Sequence, residues 1–179
     1  MLIRICLFLF VLIFIGCKSN NRQNIENLWK KWEGKVVHFP QNSIFTIYGK
    51  DTIEFDMNGN YKILLYVNSV GCTACKLQLQ QWKGLMEEFS RLSRKEVSFV
   101  FYISPKDKME LELLLESEEF VYPVCIDEED ELNKLNCFPE NEGFHTLLLD
   151  KENKIVIVGN PIQNMKIKEL YLKTLMSEK

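Results

Sequence analysis

The chain has 179 residues, with 22 Lys and Arg against 25 Asp and Glu, a formal net charge of −3 and 46% hydrophobic residues. That length supports one domain with a sizeable core rather than two. Mild acidity and the lack of any basic tract argue against a nucleic-acid partner.

The N-terminus reads as an export signal. Arg4 precedes an unbroken apolar run over residues 5–15, too short for a membrane span, which needs about 20 such residues. The run closes on Phe14-Ile15-Gly16-Cys17, and the polar stretch 18–24 follows at once. A small residue just before a cysteine at the end of a signal core resembles the lipobox of bacterial lipoproteins, with Phe14 where Leu is usual. The resemblance implies that Cys17 is lipidated and becomes the mature N-terminus; an ordinary signal peptide or an uncleaved anchor is the alternative. Loss of residues 1–16 removes one basic residue, Arg4, and makes the chain one unit more acidic. The expected organisation is a leader over 1–16, a lipidated tether over 17–24, an N-terminal extension over 25–60 and a main domain over 61–179.

Residues 25–35 have helical spacing, with Ile25, Leu28, Trp29 and Trp32 on one side. Short strands are expected over 36–39, 44–48 and 52–55, separated by Pro40-Gln41-Asn42 and Gly49-Lys50-Asp51. Residues 56–60 form a turn, and 62–68 is an apolar run that reads as a buried strand. Leu79, Trp82, Leu85, Met86 and Phe89 then recur at helical spacing. A second buried strand follows over 97–103. Ser104 as N-cap, Pro105 at the first position and Asp107 in the first turn predict a helix to about 117. A strand over 121–126 leads to a helix over 128–136 capped by Asp127. Residues 146–150 and 154–158 flank 151–153 as a hairpin. The last helix begins near Asn164 and buries Ile167, Leu170, Tyr171 and Leu175. The order β-α-β-α-β-α-β-β-α behind an N-terminal extension predicts an α/β fold with a mixed central sheet flanked by helices.

Cys72-Thr73-Ala74-Cys75 stands where the 62–68 strand ends and a helix begins. Unpaired backbone N–H groups and the positive end of a helix dipole favour a thiolate there. Cys72 is the candidate nucleophile, and Cys75, one turn on, the thiol that resolves a mixed disulfide. Of the other four cysteines, Cys6 leaves with the leader and Cys17 takes lipid. A Cys125–Cys137 bridge is disfavoured, because the intervening helix carries the chain about 13 Å while a bridge needs Cα atoms within about 7 Å. Two buried thiols are expected instead.

Three segments carry a resemblance: Tyr66 to Lys76 around the CxxC, Tyr122-Pro-Val-Cys-Ile-Asp127, and Phe144-His-Thr-Leu-Leu-Leu-Asp150. With the element order, they resemble the thioredoxin fold, and within it the envelope thiol–disulfide oxidoreductases of the TlpA/ResA type and their peroxiredoxin relatives. The resemblance spans roughly residues 35–178. It implies disulfide exchange with protein substrates bearing disulfides or thiols, more often as reductant, a redox partner at the membrane, attachment to the membrane through the N-terminal lipid, and no cofactor or metal. The location implied is the periplasmic side of a Gram-negative envelope. Lys18, in place of the aspartate that retains some lipoproteins at the inner membrane, favours the outer one.

Catalytic roles fall on Cys72 and Cys75, with Gly71, Thr73, Ala74, Lys76, Phe144, His145 and Thr146 supporting. Three positions depart from the family. Gly71 replaces the usual Trp before the first cysteine, and Tyr66 stands where thioredoxins carry a buried carboxylate. Gly143-Phe144-His145-Thr146 lacks the cis-proline whose backbone normally pairs with the substrate peptide. His145 could tune the thiols or ligate a metal, but a hydrogen-bonded or solvent-facing loop histidine is the simpler reading. His38 reads as structural. Lys76 is equally readable as a positive charge beside the thiols or as an exposed helix lysine. Tyr66 reads as core, with a hydroxyl able to stand in for the missing acid. Two other functions remain open. A thiol peroxidase lacks its usual upstream proline, and a non-catalytic binding module would keep the pair as a structural disulfide. A structural zinc site would need a second cysteine pair.

Overall fold

The computed structural model describes residues 27–70 and 72–177, divided between a unit of residues 1–35 and a unit of residues 36–179. In the first unit, helix α1 is described over 27–32 and ends three residues before the expected 35; residues 25 and 26 of that expectation lie outside the described residues. Gly34, at φ 76°, turns the chain in the left-handed region open to glycine. The Lys35 ammonium stands 4.4 Å from the centre of the Trp32 ring.

The second unit is built on β1 (Phe45–Ile47), β2 (Asp51–Ile53), β3 (Tyr61–Val67), β4 (Val97–Ile103), β5 (Val124–Ile126), β6 (Thr146–Asp150) and β7 (Ile155–Val158). Its helices are α2 (Thr73–Leu77), α3 (Leu79–Leu92), α4 (Lys108–Ser117), α5 (Glu131–Asn136) and α6 (Met165–Met176), with a 3-10 turn at Glu142–Phe144. The seven strands form one sheet in the order β2-β1-β5-β4-β3-β6-β7. β3, β4 and β5 run parallel, and the remaining pairings are antiparallel. The mixed α/β sheet expected from the element order is present, and β1 and β2 extend it at one edge.

From Ile63 onward β3 is a continuous apolar run because both its faces are covered. Ile63, Leu65 and Val67 join Phe101, Ile103 and Leu148 in a core closed by Leu79, Trp82, Leu85, Met86 and Phe89 of α3, Leu111 and Leu115 of α4, and Tyr171 and Leu175 of α6. Trp82 meets Phe101 edge to face at 5.6 Å, and Phe101 meets Phe120 likewise at 5.2 Å. Leu64 and Tyr66 alternate to the other face, where Tyr66 stacks on Phe138, and Tyr102 packs with Phe39 and Phe45. Gly159, at φ 127°, lies where a Cβ would stand 3.3 Å from the Ile167 side chain, so the turn before α6 suits glycine on both counts.

Several boundaries differ from the sequence reading. Residues 36–39 form only a single bridge, Val36 to Lys154, because Pro40 offers no N–H for a continuing ladder. α4 is capped by Asp107, whose side chain accepts the Glu110 N–H at 3.1 Å; Ser104 instead donates its N–H to the Val67 carbonyl at 2.8 Å. β5 starts at Val124, after Pro123 and the left-handed Glu119. Asp127 does cap α5, three residues late: its two carboxylate oxygens accept the Glu131 and Leu132 N–H groups at 2.8 and 2.9 Å. α6 begins at Met165 with Asn164 as its cap, near the expected start, but Leu170 is 45% exposed and Ile167 only half-buried, so the buried residues are Tyr171 and Leu175. The helix after the CxxC is not continuous. Gln78, at φ 46°, breaks it into α2 and α3. Among the described residues, no helix is long and apolar enough to cross a membrane.

Candidate active site

β3 ends at Val67, at the same end of the strands where Ser104 closes β4. Asn68 then holds the turn, its side-chain oxygen accepting the Val70 N–H at 3.3 Å. α2 opens at Thr73, which is half-buried, and contains Ala74 in its backbone. Cys72 and Cys75 are joined as a disulfide with Cα atoms 5.4 Å apart. The Cys75 N–H points at the Cys72 sulfur at 3.2 Å, and the Lys76 N–H bonds the Cys72 carbonyl at 3.3 Å. Gly71 and Cys17 lie outside the described residues.

The geometry refines the electrostatic expectation for Cys72. α2 is five residues long and is broken from α3, so the dipole of one long helix does not act along the Cys72 sulfur. The Cys75 N–H, aimed directly at that sulfur, is the group that would stabilise a thiolate. Both cysteines are exposed, so access does not distinguish them. The directed N–H does.

Lys76 fits neither sequence reading fully. Its side chain is only 16% exposed, and its ammonium donates to Asn68 Oδ1 at 2.6 Å and pairs with Glu142 Oε1 at 2.7 Å. It thereby ties α2 to the end of β3 and to the 3-10 turn. That turn is held by Asn141, whose side chain accepts the Gly143 N–H at 3.0 Å, and Phe144 on it is buried. Thr146, also buried, opens β6 opposite Leu65.

His145 is buried, with its Nε2 2.8 Å from the Pro139 carbonyl. A carbonyl can only accept, so the proton sits on Nε2. Its ring packs edge-on to Tyr66 at 5.0 Å. Burial lowers its pKa below 6.5, and the Lys76 ammonium acts in the same direction, against the Pro139 bond and the Glu142 and Asp130 carboxylates. The hydrogen-bonded loop histidine is the arrangement observed. No peptide bond among the described residues is cis. No group of three His, Cys, Asp or Glu among them could hold a metal ion.

Tyr66 is core and polar at once. Its hydroxyl donates to Asp130 Oδ1 at 2.6 Å, and burial, then that bond, push its pKa up. Asp130, Asn68 and Glu142 were not singled out from sequence. Asp130 sits 64 residues from its partner, inside the acidic run 127–131. Cys125 is a buried free thiol, pushed up to about 12 first by desolvation and then by Asp127. Cys137 is free but exposed, against expectation, because it caps α5 in the left-handed region at φ 54° and projects from the helix end.

No protein-family model matches the chain, and no curated protein does. Solved structures do. A Chlorobium tepidum protein assigned as the thiol:disulfide interchange protein DsbE superposes with a TM-score of 0.60 at 14% identity, over 80% of this chain and 97% of its own. The thioredoxin domain of a Bacteroides vulgatus thiol-disulfide oxidoreductase gives 0.52 at 16% identity, over 77% and 96%. A cysteine-to-serine form of Xylella fastidiosa PrxQ gives 0.55 at 12%, over 79% and 96%. At such identities the likeness concerns the fold, and the fold of this chain is thioredoxin-like.

Proposed function

We propose that this chain is a thiol–disulfide oxidoreductase that exchanges disulfides with protein substrates through Cys72 and Cys75. The observation that carries the reading is the exposed Cys72–Cys75 disulfide at the β3–α2 junction, with the Cys75 N–H 3.2 Å from the Cys72 sulfur. In the reducing direction, the Cys72 thiolate attacks one sulfur of a substrate disulfide. That bond breaks, the departing substrate thiolate takes a proton, and a mixed disulfide forms. Cys75 then loses its proton and attacks the Cys72 sulfur, releasing the second substrate thiolate. Two electrons have passed to the substrate, and Cys72–Cys75 is again a disulfide. A dithiol partner at the membrane would restore the reduced form. Anchoring through Cys17 on the periplasmic side of the envelope, and the reducing direction, complete the proposal. They rest on the leader sequence and on the family resemblance.

One observation favours a second reading, a binding module with a structural disulfide: the segment Gly143 to Thr146 carries no proline, and no peptide bond among the described residues is cis. Reduction of insulin disulfides by the full-length protein with dithiothreitol separates the two. The oxidoreductase reading expects catalysed precipitation of insulin that Cys72→Ser abolishes. Precipitation no faster than with dithiothreitol alone would support the binding module.

A further inference from the structure

Among the ion pairs of the described residues, Lys76–Glu142 differs in placement. Lys50–Glu116, Lys108–Glu128 and Lys134–Glu129 join side chains that are all more than 40% exposed, where such pairs contribute little. Lys168–Glu88, 22% and 29% exposed, is half-buried but ties α6 only to α3. The Lys76 side chain is 16% exposed, and its two partners come from different elements. Asn68 belongs to the turn that delivers the CxxC. Glu142 belongs to the 3-10 turn that leads through Phe144 and His145 into β6. Glu142 also accepts the His145 N–H on its carbonyl at 3.0 Å. Holding Glu142 therefore holds the segment 142–145.

The same lysine stands one helical turn beyond the redox sulfur. Its N–H bonds the Cys72 carbonyl, and residues four apart on a helical turn share one side. We propose that Lys76 is a positioning residue whose ammonium is shared between Glu142 and the Cys72 sulfur. The oxidised pair then leaves residues 142–145 latched, and the reduced pair loosens them. The proposal rests on the oxidoreductase reading. Reduction by a dithiol breaks the Cys72–Cys75 bond, moves two electrons onto the sulfurs, and oxidises the donor to its disulfide. Of the donor's two protons, one goes to Cys75 and the other to water, and Cys72 keeps the negative charge. The ammonium has three N–H donors, of which Asn68 and Glu142 engage two. The new thiolate competes with Glu142 for one positive charge and repels the carboxylate directly. Glu142 is 59% exposed, so its release into water costs little. His145, the other titratable group on this segment, is kept neutral by burial, and Asp130 is engaged with Tyr66. The partner freed on reduction is thus Glu142, and with it the segment 142–145.

The test uses the reduced full-length protein and the pH dependence of Cys72 alkylation by iodoacetamide, followed by mass spectrometry. Glu142→Gln should move the midpoint down and speed alkylation below it by up to about fivefold, the range of a partly exposed pair. Lys76→Gln should move it up, and Lys76→Arg should restore the original position. In the Lys76→Gln background, the Glu142→Gln shift should be less than half as large, leaving only direct repulsion. Hydrogen exchange at the amides of Gly143, Phe144 and His145 should quicken on reduction, and that difference should vanish in Glu142→Gln. Equal Glu142→Gln shifts in both backgrounds, or exchange that ignores redox state, would overturn the proposal. If the variants are flat while the natural protein still reduces insulin, the oxidoreductase reading stands and this one falls. If Cys72 also titrates at an ordinary thiol value and insulin is untouched, both fall. Protection of Cys125 from alkylation checks that each variant is folded.

Discussion

Among the described residues, burial separates the two thiols that take no part in the disulfide. Cys125 is pushed up to about 12, while Cys137 is exposed at a helix end. Iodoacetamide applied to the native oxidised protein should label Cys137 promptly and Cys125 only after denaturation, as read by peptide mass spectrometry. Equal labelling of both would contradict the packing of β5 against β1 and β4. His145 gives a pH dependence whose sign follows from its burial. Its folded pKa is lowered from 6.5, so below that pH the unfolded chain binds the proton first. The stability it contributes is complete above pH 6.5, falls as the pH drops through 6.5, and levels off below the folded pKa. Urea midpoints at about pH 7.5 and 5.5 should differ more for the natural protein than for His145→Gln. At this scale the sequence singled out Cys72, Cys75, Lys76 and His145 as candidates. It did not disclose their partners Asn68, Glu142 and Pro139, because those contacts exist only once the sheet brings distant segments together.

Elements were legible where apolar periodicity decides them and illegible where a single backbone residue does. The buried face of α3 comprises Leu79, Trp82, Leu85, Met86 and Phe89, the five residues picked by spacing. β4 and β6 have the expected limits. The breaks at Gln78, Asp130 and Cys137 are left-handed positions without glycine, so nothing in the sequence marks them. Ser104-Pro105 carried a cap signal that Asp107 took over, since the Ser104 N–H is engaged by Val67. Asp127 offers the sharpest test of an element. Its carboxylate satisfies two N–H groups at the start of α5, and it is itself buried. Asp127→Ala should cost about 1–2 kcal/mol, more than Asn164→Ala at the exposed start of α6. Chemical denaturation of both variants checks the ranking, and an equal or reversed order would contradict the double cap.

At the scale of the molecule, a mixed sheet and the antiparallel β6-β7 hairpin were readable from element order, whereas the antiparallel pairing of β1 with β5 was not. That pairing joins residues about 80 positions apart, Phe45 to Cys125, and no local pattern encodes it. Leu148, fully buried in the central core, should cost about 2–5 kcal/mol when replaced by Ala. The leader reading makes its own prediction: the mature chain begins at Cys17 with attached acyl groups and partitions with membranes. Mass spectrometry of the N-terminus, and loss of partitioning in Cys17→Ser, check it. The central claim is that Cys72 attacks and Cys75 resolves. It is tested most directly by comparing Cys75→Ser with Cys72→Ser for disulfide-linked adducts with envelope proteins, resolved on non-reducing gels. Cys75→Ser should accumulate adducts that dithiothreitol releases, and Cys72→Ser should accumulate none. Adducts with neither variant, or with Cys72→Ser alone, would contradict the account.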